Sequence, residues 1–143
     1  VTNDYYTFNK SENSKYSVVL LLNVLHHIGD DYDNKNMSKV EAKNKIIKQL
    51  NSMRFTSDTL VFQLGFNWHG NPSTRLFENG TKREMIDFVK AGATEYWDIV
   101  AIGIAEKHGD KIFYSDLDDN NIERDDTLGE FLNRPLFILK AKL

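Results

Sequence analysis

The sequence contains no cysteine. That absence excludes a disulfide framework, a cysteine-ligated zinc or iron–sulfur site, and a thiol nucleophile. Long hydrophobic runs are also lacking, because the longest one, Val18 to Leu22, is far shorter than the roughly 20 residues that a helix needs to cross a bilayer. Neither sign of charge predominates in the sequence. The 18 basic and 21 acidic residues give a net charge of −3, which argues against a general nucleic-acid surface.

The 143 residues have the composition of a single folded domain. Hydrophobic residues make up 41% and charged residues 27%, a balance that disfavours disorder. A chain of this length buries roughly 68–70% of the surface that its unfolded form exposes, which is enough for one sizeable core. No signal-peptide pattern opens the sequence. We therefore expect one domain over residues 1–143 and a soluble, cytoplasmic protein.

Strand and helix patterns alternate along the chain. The run 16–23 is nearly all apolar, which is typical of a strand buried on both faces, with a buried helix start as the alternative. Ser38 and Thr81 are each followed three residues later by glutamate, so two capping boxes predict two helices. The second helix is expected to end at Gly92 in a left-handed cap.

Further strands are predicted over 59–64, 97–104 and 134–142, with a hairpin extension at 112–114. The long loop 66–80 is of a length that is often functional. Strands separated by helices predict an α/β fold with a mostly parallel sheet and three layers, α/β/α. No helical pattern precedes the last strand, so we expect it to run antiparallel, at or near an edge.

The segment from Tyr16 to Asp30 resembles the fourth-strand motif of class I S-adenosylmethionine-dependent methyltransferases. It has an aromatic residue, an aliphatic run, the turn Leu25-His26-His27-Ile28 and then an acidic residue, with Ser17 where aspartate is usual. The order of elements that follows also resembles this family. The resemblance implies a Rossmann-like domain that uses S-adenosylmethionine to methylate an acceptor. The acceptor is expected to be a small molecule rather than nucleic acid, because no basic–aromatic stripe marks an RNA surface.

Only the second half of the family's domain is represented. The eight glycines are scattered without a Gly-x-Gly turn, and the acidic residue that holds the cofactor ribose has no counterpart. We therefore expect the C-terminal part of a methyltransferase domain, which alone binds cofactor weakly or not at all. The strand at 18–22 would lack its neighbour, so a homodimer or a complex with the missing N-terminal half is expected. A non-catalytic module that pairs through this sheet edge is the alternative function.

The resemblance also assigns the cofactor-binding residues. In an open α/β sheet the ligand lies beyond the carboxyl ends of the strands. Asp4 would accept a hydrogen bond from the adenine, and Asn23 would contact the methionine end, although either residue could serve only its own turn. The full cofactor-binding set is Asp4, Tyr5, Asn23, Val24 and Leu25.

The acceptor side of the predicted site is built from histidines and aromatic residues. His26 and His27 are adjacent, so their side chains cannot both face one point of a regular element. His27 is the candidate catalytic base and His26 a substrate contact, with packing roles for both as the alternative. Phe66, Trp68 and His69 would bind the acceptor through a flat aromatic surface, or form a satellite core. No ligand spacing requires a metal, and we predict none.

Overall fold

The computed structural model describes residues 15–29 and 33–142. The predicted site residues Asp4 and Tyr5 lie outside these ranges. The strands are β1 (Tyr16–Leu22), β2 (Ser57–Gln63), β3 (Trp97–His108), β4 (Lys111–Asp116) and β5 (Leu136–Ala141). The helices are α1 (Lys39–Ser52), α2 (Lys82–Ala93) and α3 (Gly129–Leu132), and short 3-10 turns span Leu25–His27, Met53–Phe55, Trp68–Gly70 and Asp126–Leu128.

Both predicted capping boxes are present at the starts of α1 and α2. The Ser38 hydroxyl accepts from the Glu41 amide at 3.2 Å, and the Glu41 carboxylate accepts from the Ser38 amide at 2.7 Å. Thr81 and Glu84 form the same pair of bonds at 3.1 Å and 3.0 Å. Each box satisfies two backbone donors that no helical carbonyl can reach.

The predicted end of α2 at Gly92 is wrong. The helix continues to Ala93, and Thr94 is its C-cap. Gly92 instead lies where α2 touches α1: a Cβ on it would come within 2.4 Å of the Ile47 side chain. The Asn51 side-chain amide also donates to the Gly92 carbonyl at 2.8 Å. This glycine is required by close helix packing and not by a left-handed backbone.

The five strands form one mixed sheet in the order β1-β2-β5-β3-β4. The α/β class is confirmed, but the expected mostly parallel sheet is wrong, because only β1 and β2 pair in parallel. The antiparallel direction of the last strand is confirmed. Its expected place at or near an edge is wrong, since β5 lies between β2 and β3. Because β5 opposes both neighbours, β1, β2 and β3 all run in the same direction.

One face of the sheet packs against α1 and α2 and forms the core. These helices contact each other, so both cover the same face, and the described residues make two layers where three were expected. Burying each large apolar side chain contributes about 1.5–3 kcal/mol. The sheet contributes Leu21, Leu60, Phe62, Ile102, Phe137 and Leu139, and the helices contribute Ala42, Ile46, Leu50, Met85, Ile86 and Val89.

The opposite face of the sheet, the open face, is apolar, and in the part of the chain that the structure describes its side chains are exposed or half-buried. It carries the side chains of Val18, Leu20, Leu22, Val61, Tyr114 and Ile138. Val18 is 56% exposed and Leu20 65% exposed. The expectation that the first strand is buried on both faces is therefore wrong. Among the described strands β1 lies at the edge of the sheet, with one face in the core and one face exposed.

The acidic segment 116–126, which the composition identifies as a solvated loop, is anchored at its centre. Asn121 is buried, and its side chain bonds both ends of a tight turn, the Asp116 carbonyl at 2.9 Å and the Asp118 amide at 2.8 Å. The buried ammonium of Lys82 donates to the Asn121 carbonyl at 3.1 Å. Desolvation by this burial lowers the pKa of Lys82. The loop is thus fixed to the start of α2.

Candidate functional site

The turns that follow β1 and β2 pack against each other at one edge of the sheet. They do so because parallel strands end at the same edge. The Trp68 indole donates to the Ile28 carbonyl at 2.8 Å, and the His27 ring lies 3.4 Å from the position of a Cβ on Gly70. Four predicted site residues are thereby brought together, and we name them the His–Trp cluster: His26, His27, Trp68 and His69.

His26 forms the buried floor of the His–Trp cluster. Its Nδ1 accepts from the Gly65 amide at 3.1 Å, and its ring packs so closely that a Cβ on Gly65 would lie 2.7 Å away. Burial, followed by the charges of His27 and Arg134, lowers the pKa of His26 to about 3. The residue is only 2% exposed, and its ring is neutral at physiological pH. This geometry gives His26 a packing role and leaves little of its side chain exposed for the substrate contact that the sequence predicted.

The other three cluster residues are only half-buried. The rings of His26 and His27 lie 4.3 Å apart between centroids, and those of Trp68 and His69 lie 4.2 Å apart. His69 has a left-handed backbone, with φ at 58°. The cluster thus offers an imidazole beside a flat indole, a combination that can exchange a proton and hold a planar group.

A polar network adjoins the His–Trp cluster at the ends of β1 and β2. The side-chain amide of Asn23 donates to the Gln63 side chain at 2.9 Å. The side-chain oxygen of Asn23 accepts from the Arg134 guanidinium at 2.7 Å. Gln63 in turn donates to the Arg134 backbone carbonyl at 3.0 Å. Asn23 also has a left-handed φ of 59°. The network fixes the Asn23 side chain at the position where the sequence predicted a cofactor contact.

Gln63 and Arg134 were missed by the sequence analysis. Burial lowers the pKa of Arg134, and in the described ranges no carboxylate forms an ion pair with it. The one local signal is their position, because Gln63 ends a strand and Arg134 stands just before one. Their partnership with Asn23 could not be read from the sequence, since 111 positions separate Asn23 from Arg134.

The remaining predicted residues are placed unequally. Leu25 and Phe66 are buried in the core, with 0% and 1% of their surface exposed, so their side chains stabilise the fold. Val24 is 41% exposed at the turn after β1 and can contact a ligand. Of the predicted cofactor set, Asn23 and Val24 are therefore the described residues whose side chains remain available.

A pocket of about 370 Å³ lies between loop 66–80 and segment 124–130. Loop 66–80 also carries Trp68 and His69 of the His–Trp cluster. Of its residues, only Phe66 was predicted to take part in a site. The others come from segments far apart in the chain, so no local motif marks them. The lining consists of Phe66, Asn67, Pro72, Arg75, Asn79, Gly80, Arg124, Asp126 and Glu130.

Neither a metal centre nor a membrane-spanning helix is found in residues 15–29 and 33–142. No group of three histidine, aspartate or glutamate side chains there is placed to hold a metal ion. No helix in those ranges combines the length and the apolar character needed to cross a membrane. Comparison of the chain with family models, curated proteins and solved structures finds no match. What the chain does is therefore inferred from its residues and their geometry.

Proposed function

We propose that the chain is the C-terminal portion of an S-adenosylmethionine-dependent methyltransferase domain that acts on a small molecule. The motif Tyr16–Asp30 suggests this activity, and one observation supports it most. The turns after β1 and β2 pack together at the carboxyl ends of two parallel strands. Ligands of open α/β sheets bind at such an edge. The predicted cofactor contacts and the predicted acceptor contacts therefore adjoin each other.

A partial Rossmann-like fold is part of this proposal. Its support is that β1, β2 and β3 share one direction and that α1 connects β1 to its parallel neighbour β2. The open face and the edge of β1 are where further helices and strands of a three-layer domain would pack. In this interpretation their apolar side chains, such as Leu20, are core residues of the larger domain.

Asn23 is the residue whose geometry fits a cofactor best. An asparagine amide has two N–H donors and two acceptor lone pairs. Gln63 uses one donor and Arg134 uses one lone pair, so one of each remains for the amino-acid end of a ligand. The cofactor, when bound, supplies an electrophilic methyl group, and the protein needs only to bind, orient and exclude water.

His27 is the candidate base of the proposed reaction. It would accept the proton that the acceptor's nucleophilic atom loses when the methyl group moves to that atom from the sulfonium sulfur, which keeps the electron pair of the broken bond. The neutral His26 ring lies against it, with 4.3 Å between the ring centroids. Trp68, held by the hydrogen bond from its indole N–H to the Ile28 carbonyl, would shield the site from water and support a planar acceptor.

Amide-resolved NMR of the 143-residue chain tests the cofactor site. We expect S-adenosylhomocysteine to shift the amides of 23–27 and 65–69, with a dissociation constant in the millimolar range because the glycine turn is lacking. Asn23→Gly keeps the left-handed backbone, removes the amide and should weaken these shifts. His108→Gln, in the exposed β3–β4 hairpin, is the matched control and should leave them unchanged. Shifts confined to residues outside 23–27 and 65–69, or shifts that Asn23→Gly leaves unchanged, would refute the proposed cofactor site, and micromolar affinity would refute the half-domain interpretation.

A non-catalytic interaction module is the second candidate function, favoured by the character of β1. This edge strand is uncharged from Tyr16 to Leu22, contains no proline, and carries exposed apolar side chains. Edge strands of monomeric proteins usually carry charges or proline, which prevent pairing with another chain. The partner we infer is a second copy, whose identical uncharged strand brings no like charges together.

Light scattering coupled to size-exclusion chromatography tests this second candidate. The wild-type chain is expected to elute as a dimer, and Leu20→Lys as a monomer, because the charge falls on the exposed face of the edge strand. Val40→Lys introduces the same charge at a 69% exposed apolar position on α1 and should remain dimeric. A monomeric wild type, or a dimer that both variants disrupt equally, would contradict pairing through β1.

A further inference from the structure

The pocket between loop 66–80 and segment 124–130 has rigid walls. Loop 66–80 is cross-linked by an isolated antiparallel bridge between Asn67 and Arg75 and by the bond from the Trp68 amide to the Thr74 carbonyl at 2.7 Å. On the other side, the Arg124 guanidinium lies over the Phe66 ring, 5.1 Å from its centroid. Such a preformed cavity can bind a ligand without first ordering a loop.

The charged side chains of the opposite wall bond to one another, one arginine to two carboxylates. Arg124 bonds Asp126 at 3.1 Å and also bonds Glu130. The second oxygen of Glu130 accepts from the Asn67 side-chain amide at 3.4 Å, so both of its oxygens are engaged by donors of the protein. The Asp126 side chain is 91% exposed, and water screens its charge. This wall therefore presents no unpaired carboxylate to a ligand.

Arg75 is the charged residue of the lining that has no partner. Within 15–29 and 33–142 it forms no hydrogen bond or ion pair, and its guanidinium extends along Gly80 at the pocket wall. Guanidinium groups bind carboxylates through two parallel N–H donors. Arg75 is exposed to solvent, and because its donors are uncommitted it is available to bind an anion in the pocket.

We propose that this pocket binds the carboxylate of a small polar molecule through Arg75. The volume of about 370 Å³ lies near the lower end of the range for small-molecule sites, roughly 300–1,000 Å³. The inference rests on the proposed function in one respect, that the bound molecule is the methyl acceptor. It then assigns that acceptor to the class of small carboxylic acids.

The test uses benzoate, a rigid carboxylate of suitable size, and neutral benzamide, followed by amide NMR of the full chain. Benzoate should shift the amides of Asn67, Arg75, Gly80 and Glu130, and benzamide should not. Arg75→Gln removes the charge and should weaken benzoate binding about tenfold, the usual effect of losing a charged hydrogen bond. Arg83→Gln removes an exposed charge that does not line the pocket and should change the affinity less than about twofold.

Three outcomes would overturn the proposal: equal binding of benzoate and benzamide, unchanged benzoate binding by Arg75→Gln, or shifts confined to residues outside the pocket. If Arg75→Gln does not fold, Arg75→Lys keeps the charge and should retain measurable binding that falls with salt. S-adenosylhomocysteine is titrated into the same samples. Shifts by that ligand at residues other than 23–27 and 65–69 refute the proposed cofactor site, whereas failure of benzoate alone refutes the carboxylate pocket.

Discussion

The buried imidazole of His26 should make the protein lose stability in mild acid. Its pKa falls from 6.5 to about 3 on folding, because burial and the charges of His27 and Arg134 oppose protonation. In this window the unfolded chain binds a proton that the folded ring does not. The stability that the neutral ring contributes is therefore fully present above pH 6.5 and is lost progressively as the pH falls towards 3.

The expected loss follows from proton linkage for one group. Between about pH 7.5 and about pH 5, the free energy of unfolding should fall by about 2 kcal/mol. Carboxylates whose pKa is lowered in the fold, such as Asp33 and Glu84, lose stability mainly below about pH 5 and contribute little in this interval. The interval thus isolates the histidine contribution.

Urea denaturation at a series of pH values measures this loss. His26→Asn keeps an oxygen that can accept from the Gly65 amide but does not titrate, so its unfolding free energy should be lower at neutral pH and nearly independent of pH in this interval. His108→Gln, which removes an exposed histidine, should retain the wild-type slope. A wild-type curve as flat as that of His26→Asn, or an NMR titration of the His26 ring near its unfolded value, would refute the assigned burial.

Three further changes follow from single contacts. Gly65→Ala places a methyl group 2.7 Å from the His26 ring and should destabilise the protein by about 2–4 kcal/mol in urea titrations. Ser38→Ala removes the hydroxyl that caps Glu41, and thermal unfolding should show a loss of about 1 kcal/mol. The pKa of Lys82 is lowered in the fold, so wild-type stability should rise as the pH approaches 10.5, because the unfolded chain then holds more protons. Lys82→Met should abolish that rise. If the variant and the wild type have the same stability profile at alkaline pH, the assigned burial of Lys82 is contradicted.

Local signals predicted the elements well because their causes are local. The capping boxes at Ser38 and Thr81 depend on side chains three residues away, and both are present. The prediction that α2 ends at Gly92 was wrong because the neighbour that requires this glycine, Ile47, belongs to another helix. The prediction that β5 lies at or near an edge of the sheet was wrong for the same reason. An apolar strand pattern shows that a strand exists and does not show which strands lie beside it.

The candidate site divides in a similar way. The meeting of His27 with the Trp68 turn was predictable because the carboxyl ends of parallel strands share an edge. The partners of Asn23 were not, since Arg134 is distant in sequence. No local motif marks Arg75, and its significance comes from its place in a pocket whose other charged residues bond to one another, which only the folded chain assembles. The cofactor and the acceptor themselves stay predictions.

The sheet order has a consequence for how the protein is made. β5 leaves the ribosome after the other four strands, yet it separates β2 from β3. Until it emerges, the β1–β2 pair and the β3–β4 hairpin have no strand between them, and each presents an unpaired inner edge. The six residues Leu136–Ala141 therefore join two preassembled pieces in a late step. Nascent chains that stop before Leu136 should remain open and prone to aggregate.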